Sequence, residues 1–172
     1  MCMTKYVAFL RGINVGGRII KMADLKKCCE AMGLKNVRTV LQSGNVLFES
    51  DQADLQKRIE AALQKAFDYP AHAQVVGLED LTRIIDNYPF KNDDASKQNY
   101  VIFMENGLEK ELIKEAVIDQ GHEQVQSGNS VIYWQVDKGM TLKSDFAKYL
   151  TKAKYKDFNT NRNINTLRKL LD

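Results

Sequence analysis

Proline, histidine and cysteine are scarce in this sequence, and each shortage excludes something. Two prolines among 172 residues, with 44% hydrophobic and 27% charged residues, exclude a disordered or low-complexity chain and give the composition of a soluble globular protein. The two histidines, His72 and His122, have no Cys-x-x-Cys or His-x-x-x-His near them, so neither a metal site nor any other cofactor is expected. Three cysteines, two of them adjacent, cannot form a disulfide framework. Cys28 and Cys29 follow Leu25 at helical spacing and Met32 completes the stripe, so both are expected as core thiols. No apolar run approaches the ~20 residues of a membrane helix. Met1 to Lys5 lead into no signal peptide, and a cytoplasmic protein away from membranes is expected.

The net charge of +3 is small, but it is unevenly distributed. Between Lys143 and Asp172 eight Lys/Arg face three acids. Such a stretch forms either a solvated helix face or a surface for an anionic partner.

The pattern of elements is clearer. "KYVAFLR" (5–11) is an apolar run of strand formers, followed by the glycine-rich loop "GINVGGR". Met22 to Met32 has helical spacing and Gly33 to end it. Val37 to Leu41 and Val46 to Glu49 read as strands around a Ser43-Gly44-Asn45 turn. A helix follows over 53–67, capped by Ser50 or Asp51 and broken by Pro70, and then a strand over 73–76. That order, β-α-β-β-α-β, is the ferredoxin-like unit. A helix over 78–88 and a polar stretch, 89–98, come next.

The same order then repeats. Strands are expected at 99–105, 123–126, 131–136 and 158–159, with helices over 108–118, 144–154 and around Leu167 to Leu171. The phrase Gln-Ser-Gly-Asn occurs at 42–45 and again at 126–129, each time between the second and third strands of its half. The expected fold is therefore α+β: two tandem ferredoxin-like subdomains from an internal duplication. The first takes residues 1–88 with its extra helix, the linker 89–98, and the second 99–172.

This topology brings the loop after the first strand and the turn between strands two and three to one edge of the sheet. Arg11, Asn14, Gly16, Gly17, Arg18, Gln42, Ser43 and Asn45 then converge beside a helix N-terminus. Backbone donors and arginines in that position suit an anion. The alternative is that the glycines merely let the loop turn. "GINVGGRI" nearly scans as a phosphate-binding P-loop, but Arg18 stands for the lysine and Ile19 for the hydroxyl, so nucleotide hydrolysis is excluded. Nucleic acid is a second partner class, although the third strand, "VLFES", lacks the aromatic motif of a standard RNA-recognition module.

The tail "TNRNINTLRKLL" adds Asn161, Arg162, Asn163, Asn165 and Thr166, either a heavily capped turn into the last helix or a hydrogen-bonding patch. No serine or cysteine is placed with a histidine as a nucleophile and its base.

The blocks "FLRGINVGGR", "MADLKKCCEAMGLKNVRTVLQSGNVLFES" and "TNRNINTLRKL" resemble an uncharacterised bacterial family, domain of unknown function 1697 (DUF1697). The resemblance covers nearly the whole chain. It implies two ferredoxin-like subdomains and no assigned activity. Arg11–Gly17, Gln42–Asn45 and Arg162–Thr166 match its pattern and complete the set of candidate ligand-binding residues. The favoured reading is a binding module for a small anionic or phosphate-bearing ligand. The alternatives are an enzyme using the same polar cleft or a protein interaction module, and no oligomeric state follows from the sequence.

Overall fold

The computed structural model describes residues 2–40 and 44–172. The chain is mixed α+β and divides into two compact units, Met1–Leu81 and Thr82–Asp172, each holding one four-stranded antiparallel sheet. No helix among the described residues is long and apolar enough to cross a membrane.

The first unit runs β1 (Thr4–Arg11), α1 (Met22–Ala31), β2 (Lys35–Val40), β3 (Asn45–Ser50), α2 (Leu55–Phe67) and β4 (His72–Gly77), with sheet order β2-β3-β1-β4. Central strand β1 buries Val7, Ala8, Phe9 and Leu10, so both its faces are covered. That explains why its sequence is a continuous apolar run rather than an alternation. Ala8 and Leu10 share their face with Val46 and Phe48 and meet Leu25, Ile59 and Leu63 from the two helices. Burying each of those three side chains stabilises the unit by about 1.5–3 kcal/mol. Gly33 ends the first helix in the left-handed region, with its N–H on Glu30 O at 3.0 Å.

The cap of α2 differs from expectation. Asp54 sits at its N-cap with φ 53° and no side-chain hydrogen bond. Ser50 Oγ instead accepts from the Gln52 N–H at 3.0 Å, tying the turn that precedes the helix. Helix α2 stops at Asp68, which adopts φ 51° two residues before Pro70.

α3 (Leu78–Asp86) leads to the second series: β5 (Lys97–Met104), α4 (Leu108–Glu115), β6 (Glu123–Ser127), β7 (Val131–Asp137), α5 (Asp145–Leu150), β8 (Asn159–Asn163) and α6 (Ile164–Leu170). The sheet order, β6-β7-β5-β8, matches the first. Ile102, Met104, Leu112, Ile132, Trp134, Phe146 and Tyr155 form its core. A buried carboxylate braces it: Glu123 accepts from Trp134 Nε1–H and from the Phe146 N–H, both at 3.0 Å.

One expectation is corrected here. The strand expected at 158–159 runs on over 159–163 as β8, paired antiparallel with β5 from Met104↔Asn159 to Tyr100↔Asn163, so Asn161 and Arg162 lie in the sheet rather than in a capped turn. Only the end of that reading survives: Asn163 Oδ1 caps α6 by accepting from the Asn165 N–H at 2.9 Å. Of the repeated phrase, the described residues Gly44 and Asn45 are out of register with Gly128 and Asn129 of the second copy. Phe9 faces Asn45 and Phe103 faces Val131. Leu10 N–H reaches Gly44 O at 2.8 Å, and Met104 N–H reaches Ser130 O at 3.0 Å. The pairing thus aligns Gly44 with Ser130, two residues beyond the glycine of the second phrase.

Candidate functional site

On the first unit, the loop after β1 and Gly44, just before β3, meet at one sheet edge, where Leu10 N–H reaches Gly44 O. Gly44 has φ +77°, and a Cβ there would stand 3.0 Å from Ile13 Cδ1 and 3.1 Å from Leu10 Cβ. Only glycine fits. Gly16 and Gly17, at φ +65° and +80°, are the central pair of a turn closed by Arg18 N–H on Val15 O at 3.2 Å. A turn with both central residues at positive φ explains this pair without a ligand.

The loop's side chains are also engaged with the loop. Asn14 Oδ1 accepts from the Ile20 N–H at 3.3 Å. Asn45 is fully buried in β3, and its Nδ2 donates to Val40 O at 3.2 Å. Arg11 is half-buried at the end of β1, opposite His72. Gln42 and Ser43 lie outside the described residues.

Arg18 is different. Its guanidinium carbon sits 4.6 Å over the centre of the Tyr69 ring, and Nη1 reaches Gly12 O at 3.5 Å. Tyr69 is buried, its hydroxyl without a partner among the described residues. Burial pushes its phenol up, while the Arg18 charge opposes that shift. Three residues on, Lys21 occupies the N-cap of α1, and no side chain caps that helix. Asp24 N–H already reaches Lys21 O at 3.1 Å, so Arg18, Lys21 and the Met22 and Ala23 amides are the donors within one short segment, with Asp24 the acid of the first turn.

On the second unit, Arg162 lies in β8 opposite Val101, with Nη1 on Asn161 O at 2.9 Å. Thr166 is half-buried on α6. Asn163 and Asn165, but neither Arg162 nor Thr166, line a polar cavity of about 400 Å³. Asn92, Gln98, Asn99 and Lys138 line it too, and sequence reasoning missed all four.

Asn99 is only 5% exposed. Its Oδ1 accepts from Tyr88 Oη–H at 2.9 Å and from Gln135 Nε2–H at 2.8 Å. Gln135 Nε2 also donates to Lys91 O at 2.8 Å, which fixes that amide's orientation and through it the orientation of Asn99. Burial pushes the Tyr88 phenol well up, so it stays a donor. The available signal was parity: Asn99 shares a sheet face with buried Val101 and Phe103.

Reactive chemistry is not assembled among the described residues. Burial pushes the Cys29 thiol up to about 12, far from a thiolate nucleophile. His122 binds Asp137 at 2.8 Å and hydrogen-bonds no hydroxyl or thiol. No group of His, Cys, Asp or Glu there could hold a metal ion.

The family described as a protein of unknown function, DUF1697, matches residues 3–133. The chain belongs to it. That DUF1697 match takes in the glycine loop, Tyr69 and Asn99 and ends before Asn163. Among solved structures, a conserved bacterial protein from Streptococcus pneumoniae is similar over 98% of this chain and 97% of its own, with 26% identity and a TM-score of 0.81. An unknown protein from Galdieria sulphuraria aligns over 94% of this chain and 97% of its own at 10% identity, but with a TM-score of 0.27. No curated protein matches the DUF1697 chain.

Proposed function

We propose that this DUF1697 protein is a bacterial, cytoplasmic binding module for a small anionic, phosphate-bearing ligand. The ligand sits at the loop edge of the first unit. The observation that carries the reading is Arg18, held over Tyr69 at 4.6 Å just before the uncapped start of α1. A guanidinium fork already positioned by stacking loses little freedom on binding an anion. Among the described residues, its N–H groups reach one carbonyl, that of Gly12, through Nη1. Helix amides and Lys21 supply further positive potential. The three free thiols fit a reducing compartment.

Each half is, in this reading, ferredoxin-like and the product of duplication. The support is the shared strand order and one matched pair of aromatic contacts. Tyr6 stacks on Phe48 at 5.6 Å, and Tyr100 meets Trp134 at 5.3 Å, in positions that the strand registers make equivalent.

Thermal shift with inorganic phosphate, sugar phosphates and nucleotides tests the binding reading. A ligand at a hundred times its Kd stabilises by about 2.7 kcal/mol. Arg18→Ala should abolish that gain, and Arg18→Lys should keep part of it. If none of these anions raises the melting temperature, or Arg18→Ala responds like the parent, the reading is wrong.

A further inference from the structure

We propose that the cavity of the second unit is a separate binding site, for a small zwitterion of the amino-acid class carrying a carboxylate and an ammonium group. Three carboxamides lining the cavity have their oxygens occupied by the protein. Asn99 Oδ1 takes Tyr88 and Gln135. Gln98 Oε1 takes Thr141 Oγ1–H at 2.8 Å and the Tyr100 hydroxyl. Asn163 Oδ1 takes the Asn165 N–H. Each keeps an NH2 group for which the described residues offer no acceptor.

Asn99 decides the matter. It is 95% buried by its 5% exposure, yet its Nδ2 is not among the buried polar atoms sealed from solvent. That N–H therefore opens onto the cavity as a donor on a buried, fixed carboxamide, whereas sealing it without a partner would cost about 1–3 kcal/mol. Its orientation is locked through Gln135 to the Lys91 carbonyl, so it cannot turn its oxygen to the cavity. The cavity therefore presents donors and calls for a ligand rich in acceptors.

Charge narrows the class. Lys138 adds a cation with no ion pair among the described residues, whereas Lys97 is neutralised by Asp137. Asp93 and Asp94 stand on the same lining, and Asp94 is held by the Ser96 N–H at 2.8 Å and its hydroxyl at 2.6 Å. Two carboxylates beside the donors repel a polyanion. A ligand with one carboxylate for the amides and Lys138 and one ammonium for Asp93 satisfies both sets. The site is thus distinct in chemistry from the phosphate site proposed on the first unit.

The test is a ¹⁵N-resolved titration of the full chain with the standard L-amino acids, following the side-chain NH2 signals of Gln98, Asn99 and Asn163. Propionate, ethylamine and inorganic phosphate serve as probes that each carry charge of one sign. At least one amino acid should shift all three signals saturably below about 10 mM, with propionate and ethylamine at least about tenfold weaker. Lys138→Ala is an exposed change that leaves the fold intact and should weaken binding about fivefold or more. Asn99→Asp keeps the acceptor for Tyr88 and Gln135, replaces the donor and should abolish binding. No shift with any amino acid, equal binding of propionate alone, or an unchanged affinity in Lys138→Ala overturns the proposal. Phosphate binding through Arg18 is read separately, from the amides of α1.

Discussion

Tyr6 and Phe48 face each other across β1 and β3 with ring centroids 5.6 Å apart, and their planes are within 25° of parallel. The contact ties the central strand to its neighbour beneath the helices. A double-mutant cycle with Tyr6→Ala and Phe48→Ala should give a coupling of about 0.5–1.5 kcal/mol in urea denaturation. Additive losses would mean that the rings pack independently.

Glu123 should be the most costly polar residue of the second unit to remove. Glu123→Ala leaves Trp134 Nε1–H and the Phe146 N–H without acceptors inside the core. The expected loss is about 3–4 kcal/mol, and Glu123→Gln, which keeps one acceptor, should lose about half of it. Denaturation can be followed through the fluorescence of Trp134, the sole tryptophan. A loss under about 1 kcal/mol for the alanine variant would show that the core relaxes around the orphaned donors.

Two glycines separate strain from crowding. Gly44 and Gly107 both have positive φ, at +77° and +71°. Only Gly44 meets neighbours closer than 3.4 Å. Gly107→Ala should cost about 1 kcal/mol, the backbone term alone, and Gly44→Ala about 2 kcal/mol or more. Equal costs would contradict the close approach of Ile13.

His122 and Asp137 set a pH dependence. The Asp137 hydrogen bond, with Asp119 nearby, raises His122 above its ordinary 6.5. Lys97 first, and His122 second, lower Asp137 below its ordinary 3.8. A raised histidine contributes stability that is complete below 6.5 and is lost as pH climbs through the folded value. A lowered aspartate contributes stability that is present above 3.8 and is lost as pH falls through its folded value. The pair is therefore strongest between those limits. An NMR titration should place His122 above 6.5, and Asp137→Asn should bring it back down. An unshifted His122 in the parent would refute the pairing.

Much of the fold was legible because hydrophobic spacing recorded it. Apolar β1, the Leu25–Cys29 stripe and the Leu55–Ile59–Leu63 stripe gave strand and helices to within a few residues. β8 was only partly legible: a strand was expected at 158–159, but asparagines such as Asn161 and Asn163 are residues that strands disfavour, and only pairing with β5 extends it to Asn163. The repeated phrase does not align the two halves residue by residue, for a related reason: register is set by cross-strand pairs such as Phe103↔Val131, not by identity of turn residues.

The site was half legible. Topology placed the glycine loop beside Gly44, but it could not foresee that Asn14 would clasp Ile20 or that Asn45 would be buried. Arg18 stood out in the sequence, while its partner Tyr69 is fifty-one positions away and only the fold joins them. Asn99 likewise draws its meaning from Tyr88, Lys91 and Gln135, which no spacing rule connects.

The most direct measurement of the central claim is a ¹H–¹⁵N titration of the chain with inorganic phosphate and sugar phosphates, read at Met22 and Ala23 and at the Arg18 Nε–H. The account predicts saturable shifts of these amides and their loss in Arg18→Ala, whose folded spectrum is otherwise unchanged. Amides of α1 that do not move, or that move equally in Arg18→Ala, would contradict it.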